Sequence, residues 1–282
     1  MKIVYLTDSG TGKNCTALQN EDIISLPLQI SVDTTNYNDM EDLSTQEFIN
    51  LLKEKKVLKT SQPAPGKIVE LFEECKKTNT DKIIAVPICH GLSGTMSTIQ
   101  SFAKQYNIQC ICFDTHVTAV VQERCIRLIR QWTKENVSFD IIQSKIENII
   151  ASCNTLLLPT DLQHLKRGGR LTPLAATVAG LLKIHPVLTI NKKTSGKIDI
   201  LAKVRTYSKA VTQVIEQMKN DGVDSTYEIV VAHVDDEQGA HELANSIIEN
   251  FHNVNPIIIP LCNVVAAHTG LGCKAIQYFK QN

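Results

Sequence analysis

Ser93 stands in Gly91-Leu92-Ser93-Gly94-Thr95, shortly after the apolar run 83–88 and before a stretch with helical spacing. A hydroxyl and free backbone N–H groups where a strand gives way to a helix form a seat for an anion, because the helix start carries unsatisfied donors and a partial positive charge. The same motif is one residue away from the Gly-x-Ser-x-Gly elbow of serine hydrolases, with Thr95 in place of the last glycine. A third reading is a plain helix cap, which contributes ~1 kcal/mol with no ligand at all. These residues alone leave anion seat, nucleophile and cap open.

Further polar motifs could close over such a seat. In Lys59-Thr60-Ser61-Gln62-Pro63-Ala64-Pro65-Gly66 two hydroxyls precede a rigid proline turn that carries few competing amides. The plainer reading there is the turn into a helix with Pro65 near its first position. Arg205-Thr206 follows a strand-like run, and a guanidinium fork suits a carboxylate or phosphate as well as a surface ion pair. His268-Thr269-Gly270 lies in the small-residue segment 266–272, where the ring has room for a ligand or serves as a hydrogen-bonded structural histidine. Leu165-Lys166-Arg167-Gly168-Gly169-Arg170 is a basic glycine stretch. The other histidines show no metal-ligand spacing, so no metal is expected. Neither a Gly-x-x-x-x-Gly-Lys-Ser/Thr loop nor a Gly-x-Gly-x-x-Gly turn is present to hold a nucleotide.

The elements that must position these residues alternate between strand-like and helix-like. Strands are expected at 4–7, 83–88 and 110–113, the last two apolar enough to be central and parallel, with an extended stretch at 23–32 broken by Pro27. Ser44-Thr45-Gln46-Glu47 has the order of a capping box, and Ile68, Leu71, Phe72 and Cys75 share one helical face. Helices at 117–134 and 139–152 lead out of this region. Beyond them come strands at 155–159, 186–191 and 197–204, the last two flanking Lys193-Thr194-Ser195-Gly196, a hairpin turn that predicts a mixed sheet. A helix at 208–219, a strand at 228–234, a helix at 237–251 and a strand at 256–261 follow. At 282 residues this reads as α/β in two domains, 1–153 with an open, mostly parallel sheet and flanking helices, and 154–282 with a mixed sheet.

Bulk properties remove several function classes. Basic and acidic residues number 29 each with no long basic block, so nucleic acid is not an expected partner. No segment reaches the ~20 apolar residues of a membrane span, and residues 1–8 read as a first strand instead of a signal core. Nine cysteines, an odd number without Cys-x-x-Cys, read as reduced thiols and point to the cytoplasm. Cys89 beside His90 is the one tempting nucleophile pair, but neighbours on a strand point to opposite faces.

In order along the chain, TDSGT at 7–11, TSQPAPG at 60–66, GLSGT at 91–95, FDT at 113–115, LKRGGRLT at 165–172, LLKIHPVLTI at 181–190, VRT at 204–206 and AHTGLG at 267–272 resemble the DegV family over nearly the whole chain. The resemblance implies a two-domain α/β protein that holds one long-chain fatty acid in a buried tunnel between the domains and needs no cofactor. Some members are the acyl-binding subunit of a bacterial fatty acid kinase. Their separate ATP-binding subunit, similar to dihydroxyacetone kinases, phosphorylates the carboxylate, and the acyl phosphate passes to phospholipid synthesis. Carried over position by position, the head-group contacts fall on Thr60 and Ser93, with Ser61, the Gly94 amide and Thr269 close by. His268 and Arg205 match family positions beside the carboxylate that present it to the kinase. Residues 174–182 and 264–267 are candidates for the apolar wall, which gains ~0.8 kcal/mol per buried methylene. The chain departs from the family pattern at Cys89-His90 and at Thr115-His116-Val117-Thr118, where the family is serine-rich.

Three functions are therefore weighed. The first is a lipid-binding module, not itself an enzyme, serving a kinase partner. The second is an esterase or thioesterase with Ser93 as nucleophile and His268 as base. The third is a lipid carrier or sensor with no kinase partner.

Overall fold

The computed structural model describes residues 2–178 and 184–280. In chain order the first half comprises β1 (Ile3–Asp8), α1 (Cys15–Gln19), β2 (Ile23–Leu26), β3 (Gln29–Val32), β4 (Thr35–Asn38), α2 (Thr45–Lys53), β5 (Leu58–Ser61), α3 (Pro65–Lys77), β6 (Lys82–Ala85), α4 (Thr95–Tyr106) and β7 (Gln109–Cys112). Two long helices, α5 (Val120–Lys134) and α6 (Phe139–Ser152), come next. The rest comprises β8 (Asn154–Leu158), α7 (Leu162–Gly168), α8 (Pro173–Val178), β9 (His185–Ile190), β10 (Asp199–Val204), α9 (Tyr207–Asn220), β11 (Tyr227–His233), α10 (Glu237–Asn250), β12 (Ile257–Pro260), α11 (Asn263–Thr269) and β13 (Lys274–Lys280).

Three sheets result. The first is parallel throughout, in the order β2-β1-β6-β7. A small antiparallel sheet, β4-β3-β5, stands beside it. The third is mixed, in the order β10-β9-β8-β13-β11-β12, with β11 and β12 its parallel pair. The hairpin expected at 193–196 joins β9 to β10, and Asn191 caps its tight turn by accepting from Thr194 N at 3.1 Å. The capping box of α2 is present, with Ser44 N donating to Glu47 Oε2 at 2.9 Å. Pro65 opens α3, and the four apolar residues predicted to share its face are all buried.

One expected strand lies in an unexpected place, and β4, β5 and β13 stand where no strand was expected. β7 is not central: it pairs with β6 alone and forms the sheet edge. Its apolar character comes from packing beside Phe102 and Tyr106 of α4.

Alternation along the strands divides the interior into layers. Leu6 and Ile83 face the α3/α4 side of the parallel sheet, whereas Tyr5 and Ile84 face inward. In the mixed sheet Leu157, Ala275 and Phe279 face the same inner layer, and Leu156, Ile276 and Tyr278 face α9 and α10. One apolar layer, filled largely by α5, α6 and α11, thus separates the two large sheets. Two buried glutamines fix α5 between them. Gln122 Nε2 donates to Thr7 Oγ1 at 3.0 Å and Asp8 Oδ1 at 2.8 Å, and Gln277 of β13 accepts from Val121 N at 3.0 Å. Among the described residues no helix is long and apolar enough to cross a membrane.

Candidate functional site

A cavity of about 620 Å³ opens between the parallel sheet and the mixed sheet, a size within the usual range for small-molecule sites. Its lining gathers Thr60, Ser61, Ser93, Gly94, His268 and Thr269, three adjacent pairs from segments far apart in sequence. The same lining carries the apolar Leu28, Ile88, Leu171, Ile190, Val264 and Val265. A small apolar void shares Ile190 and Val265 with this cavity, and it shares Ala232, Ile259 and Leu261 with a further void of about 160 Å³. The voids therefore adjoin one another in series.

Each polar group reaches the cavity by a different route. Thr60 lies on β5, paired opposite Ile30 of β3, so the motif expected to be a loop begins as a strand. Ser93 precedes the helix proper: Gly94 is the cap position, and the Ser93 hydroxyl accepts weakly from Thr95 N at 3.3 Å and pairs with Thr95 Oγ1 at 2.9 Å. Gln62 ties this corner together by accepting from Thr98 Oγ1 at 2.6 Å. His268 and Thr269 sit on the last turn of α11, a helix where the sequence reads as a small-residue loop.

Thr60 Oγ1 and His268 Nε2 share a 2.6 Å hydrogen bond that joins the first half of the chain to the last. Burial, and then the positive charge of Arg170 and the nearby His164, push the His268 imidazole down to about 4, so it is neutral at pH 7. Its Nδ1 edge abuts Gly168, where a Cβ would come within 2.6 Å. Thr269 also lines the cavity, with its side chain fully buried beside the Cys273 thiol. The roof is a backbone contact. A Cβ on Gly91 would lie 2.2 Å from the Gly196 carbonyl carbon, so only glycine lets the β9–β10 turn close over the strand end.

Not every expected residue arrives. Arg205 does not line the cavity; it is exposed just beyond β10, whereas the cavity touches Lys197 and Ile198 at the other end of that strand, about 20 Å away at strand rise. The arginine that does line the cavity, alongside Lys197, is Arg170, which also donates from Nη1 to Gly168 O at 2.6 Å. The signal for it was the Gly168-Gly169 pair before it: Gly169 takes a left-handed φ of 71° and turns the chain from α7 back toward the site. Of the expected apolar wall, Val264 and Val265 line the cavity, Leu174 is exposed, and residues 179–182 lie outside the described residues, as do the first three of LLKIHPVLTI. His90 stands exposed at the rim, and His116 lies away from the cavity with Asp114 at 3.6 Å.

The hydrolase reading lacks its geometry. Ser93 is paired with Thr95 and His268 with Thr60, so no base engages the Ser93 hydroxyl. Burial also pushes the Cys89 thiol up, away from a reactive thiolate. Among the described residues no group of histidines, cysteines and carboxylates could hold a metal ion.

Fold and site together define an α/β protein with a parallel and a mixed sheet enclosing a polar-headed, apolar-backed cavity. Residues 2–281 match the family model for uncharacterised proteins of the DegV family. A DegV domain-containing protein of Halalkalibacterium halodurans is 30% identical over 281 residues, covering 99% of this chain and 98% of that one. A solved fatty-acid-binding DegV family protein of Streptococcus agalactiae superposes with a TM-score of 0.86 at 28% identity, each chain fully covered. DegV of Bacillus subtilis, a fatty-acid-binding protein, does so with a TM-score of 0.84 at 25% identity, again over the whole of both chains. The chain belongs to the DegV family.

Proposed function

We propose that this chain binds a long-chain fatty acid in the cavity between its sheets and presents the carboxylate to a separate kinase subunit that makes the acyl phosphate. The observation that carries the reading is the meeting of Thr60, Ser93, His268 and Thr269 in one cavity that is also lined by the apolar Leu28, Ile88, Leu171, Ile190, Val264 and Val265. A carboxylate taken out of water requires several donors. If His268 Nε2–H donates to Thr60 Oγ1, the Thr60 proton turns toward the ligand and joins the Ser93 hydroxyl and the Gly94 amide. The tail needs no specific partner, and the series of voids toward Leu261 gives it an apolar course.

Residues 1–153 and 154–282 are read as the two domains that hold the tail between them, and the protein is placed in the cytoplasm, in keeping with nine unpaired cysteines. Arg205, exposed and distant from the cavity, suits contact with the kinase surface better than contact with the carboxylate. The test is mass spectrometry of ligand extracted from natively purified protein, followed by incubation of the loaded protein with ATP and an acyl-kinase subunit. The expected results are one long-chain acid per chain and acyl phosphate only when both subunits are present. Protein that carries no lipid and takes up none would refute the reading.

A further inference from the structure

A second cavity, of about 610 Å³, lies on the other side of the Thr60–His268 hydrogen bond and shares Thr60, Arg170 and His268 with the first. Its lining carries Lys55, Lys56, Lys59, Arg167 and Arg170 against one carboxylate, Asp161. Asp161 is already engaged as the cap of α7, accepting from His164 N at 2.9 Å. Lys56 is paired with Asp33 at 2.9 Å, outside the lining; among the described residues, Lys55, Lys59, Arg167 and Arg170 form no ion pair. The backbone is arranged to hold these cations. Lys55 takes the left-handed position that ends α2, with φ of 59°, where glycine is the common choice, and its N–H and that of Lys56 close the turn onto Leu52 O and Leu51 O. Gly168-Gly169 brings Arg167 and Arg170 in from α7. His164 is turned away from anion binding at Nε2, which donates to Ala267 O at 2.8 Å.

Like charges gathered in a recess with few counter-charges repel one another, and an anion with several oxygens resolves that repulsion. We infer that this cleft is a phosphate subsite, separated from the fatty-acid cavity by the Thr60–His268 pair and Arg170, which line both. The inference deepens the fatty-acid reading and rests on it for what the neighbouring cavity holds. The phosphate belongs either to the phosphorylated head group of the bound lipid or to the end of a free phosphate chain such as a nucleotide's. Both offer the same tetrahedral oxyanion to the same cations.

The test uses calorimetry on the full-length protein at low salt, where such contacts are strongest, with wild type and the Lys59→Ala/Arg167→Ala double variant. Both replaced residues are exposed, and neither lines the fatty-acid cavity. The probes are pyrophosphate, added to palmitate-loaded protein, and hexadecylphosphonate, added to delipidated protein, with palmitate as reference. The subsite predicts that the double variant loses about tenfold in affinity for at least one phosphorus probe while palmitate affinity is unchanged. Loss for pyrophosphate assigns the free phosphate chain; loss confined to hexadecylphosphonate assigns the lipid head group. Equal affinity of both probes for both proteins, with palmitate bound normally, would overturn the inference, as would chloride competing as well as phosphate. Pyrophosphate binding that depends on Lys59 and Arg167 in a protein that takes no palmitate would leave the subsite standing and remove the lipid reading instead.

Discussion

Replacing Asp39 by asparagine should stabilise the protein at pH 8 and leave it unchanged near pH 4. Asp39 is fully buried and lies beneath α11, the helix that carries His268 and Thr269: its Oδ1 accepts from Asn263 Nδ2 at 3.1 Å. Its Oδ2 has no partner, and neither has the Asn263 Oδ1 atom. Burial pushes the Asp39 carboxyl up to about 6, against the pull of Ser9 and Asn263 and reinforced by the charge of Asp8. A rise from 3.8 to about 6 corresponds to roughly 3 kcal/mol between protonation states. Because the folded state holds the proton more tightly, this contribution is present below pH 3.8 and is lost as pH rises through about 6. Above that, the fold carries a buried carboxylate with an unpaired oxygen. Asparagine removes the charge and keeps an oxygen that can accept from Asn263 Nδ2. The expected gain at pH 8 is up to about 3 kcal/mol, or roughly 5–10 °C in melting temperature for a chain of this size. Asp8 is the control. Its carboxyl is also raised to about 6, yet it accepts from Gly10 N, Gln122 Nε2 and Ile88 N, so an amide NH₂ in either orientation meets a donor. Asp8→Asn should forfeit the gain that Asp39→Asn shows. Thermal melts of the three proteins at pH 4.5 and pH 8 decide the matter. A gain for Asp39→Asn that is the same at both pH values, or no gain at pH 8, refutes the reasoning.

Three further outcomes are expected. Thr60→Ala and Ser93→Ala should each weaken fatty-acid binding about 10- to 100-fold, the range of one charge-assisted hydrogen bond, as measured by displacement of a fluorescent fatty acid; unchanged affinity in the double variant would refute the head-group assignment. Arg205→Ala should leave that affinity unchanged and lower the rate of acyl phosphate formation with the kinase subunit, and a loss of lipid affinity would return Arg205 to the binding site. Gly91→Ala should lower stability by about 1–3 kcal/mol and loosen lipid retention, because the added Cβ meets the Gly196 backbone at 2.2 Å and not a movable side chain; a wild-type melting curve would show that the roof is not rigid.

What the sequence discloses about this fold divides by range. The capping box of α2, the buried face of α3 and the β9–β10 turn depend on neighbours within four or so residues, and each is legible. β13 is not. Its apolar alternation is interrupted by Lys274 and Gln277, which become acceptable in the centre of a sheet only through distant partners: Asp236 for the lysine, and Thr118 O, Thr155 and Val121 for the glutamine. β5 is four residues long, and its pairing with β3 crosses an entire helix, so Thr60 read as a loop residue. The site shows the same division. The motifs name Thr60, Ser93 and His268, which the fold brings to one cavity, but the choice between Arg170 and Arg205 depends on which end of β10 faces the opening, and that is a matter of register.

Specificity and tolerance are therefore built into different parts of one cavity. Its polar end is set by short contacts between segments more than a hundred residues apart: the Thr60–His268 bond at 2.6 Å, the Cys89 thiol 3.6 Å from Gly196 O, and the Gly91 backbone against the same turn. None of these can shift without breaking another, so the position of the head group is defined. The apolar course behind it has no polar atom to place and is interrupted by a void of only about 30 Å³ between Ile190, Val265 and Leu261, so side chains there must rearrange when a tail enters. On the proposed function, a ligand would be recognised by its acid and accommodated by its chain. Ile190→Ala or Val265→Ala should change which chain length is retained, read by mass spectrometry of the extracted acid; an unchanged chain-length profile in both would refute the tail course.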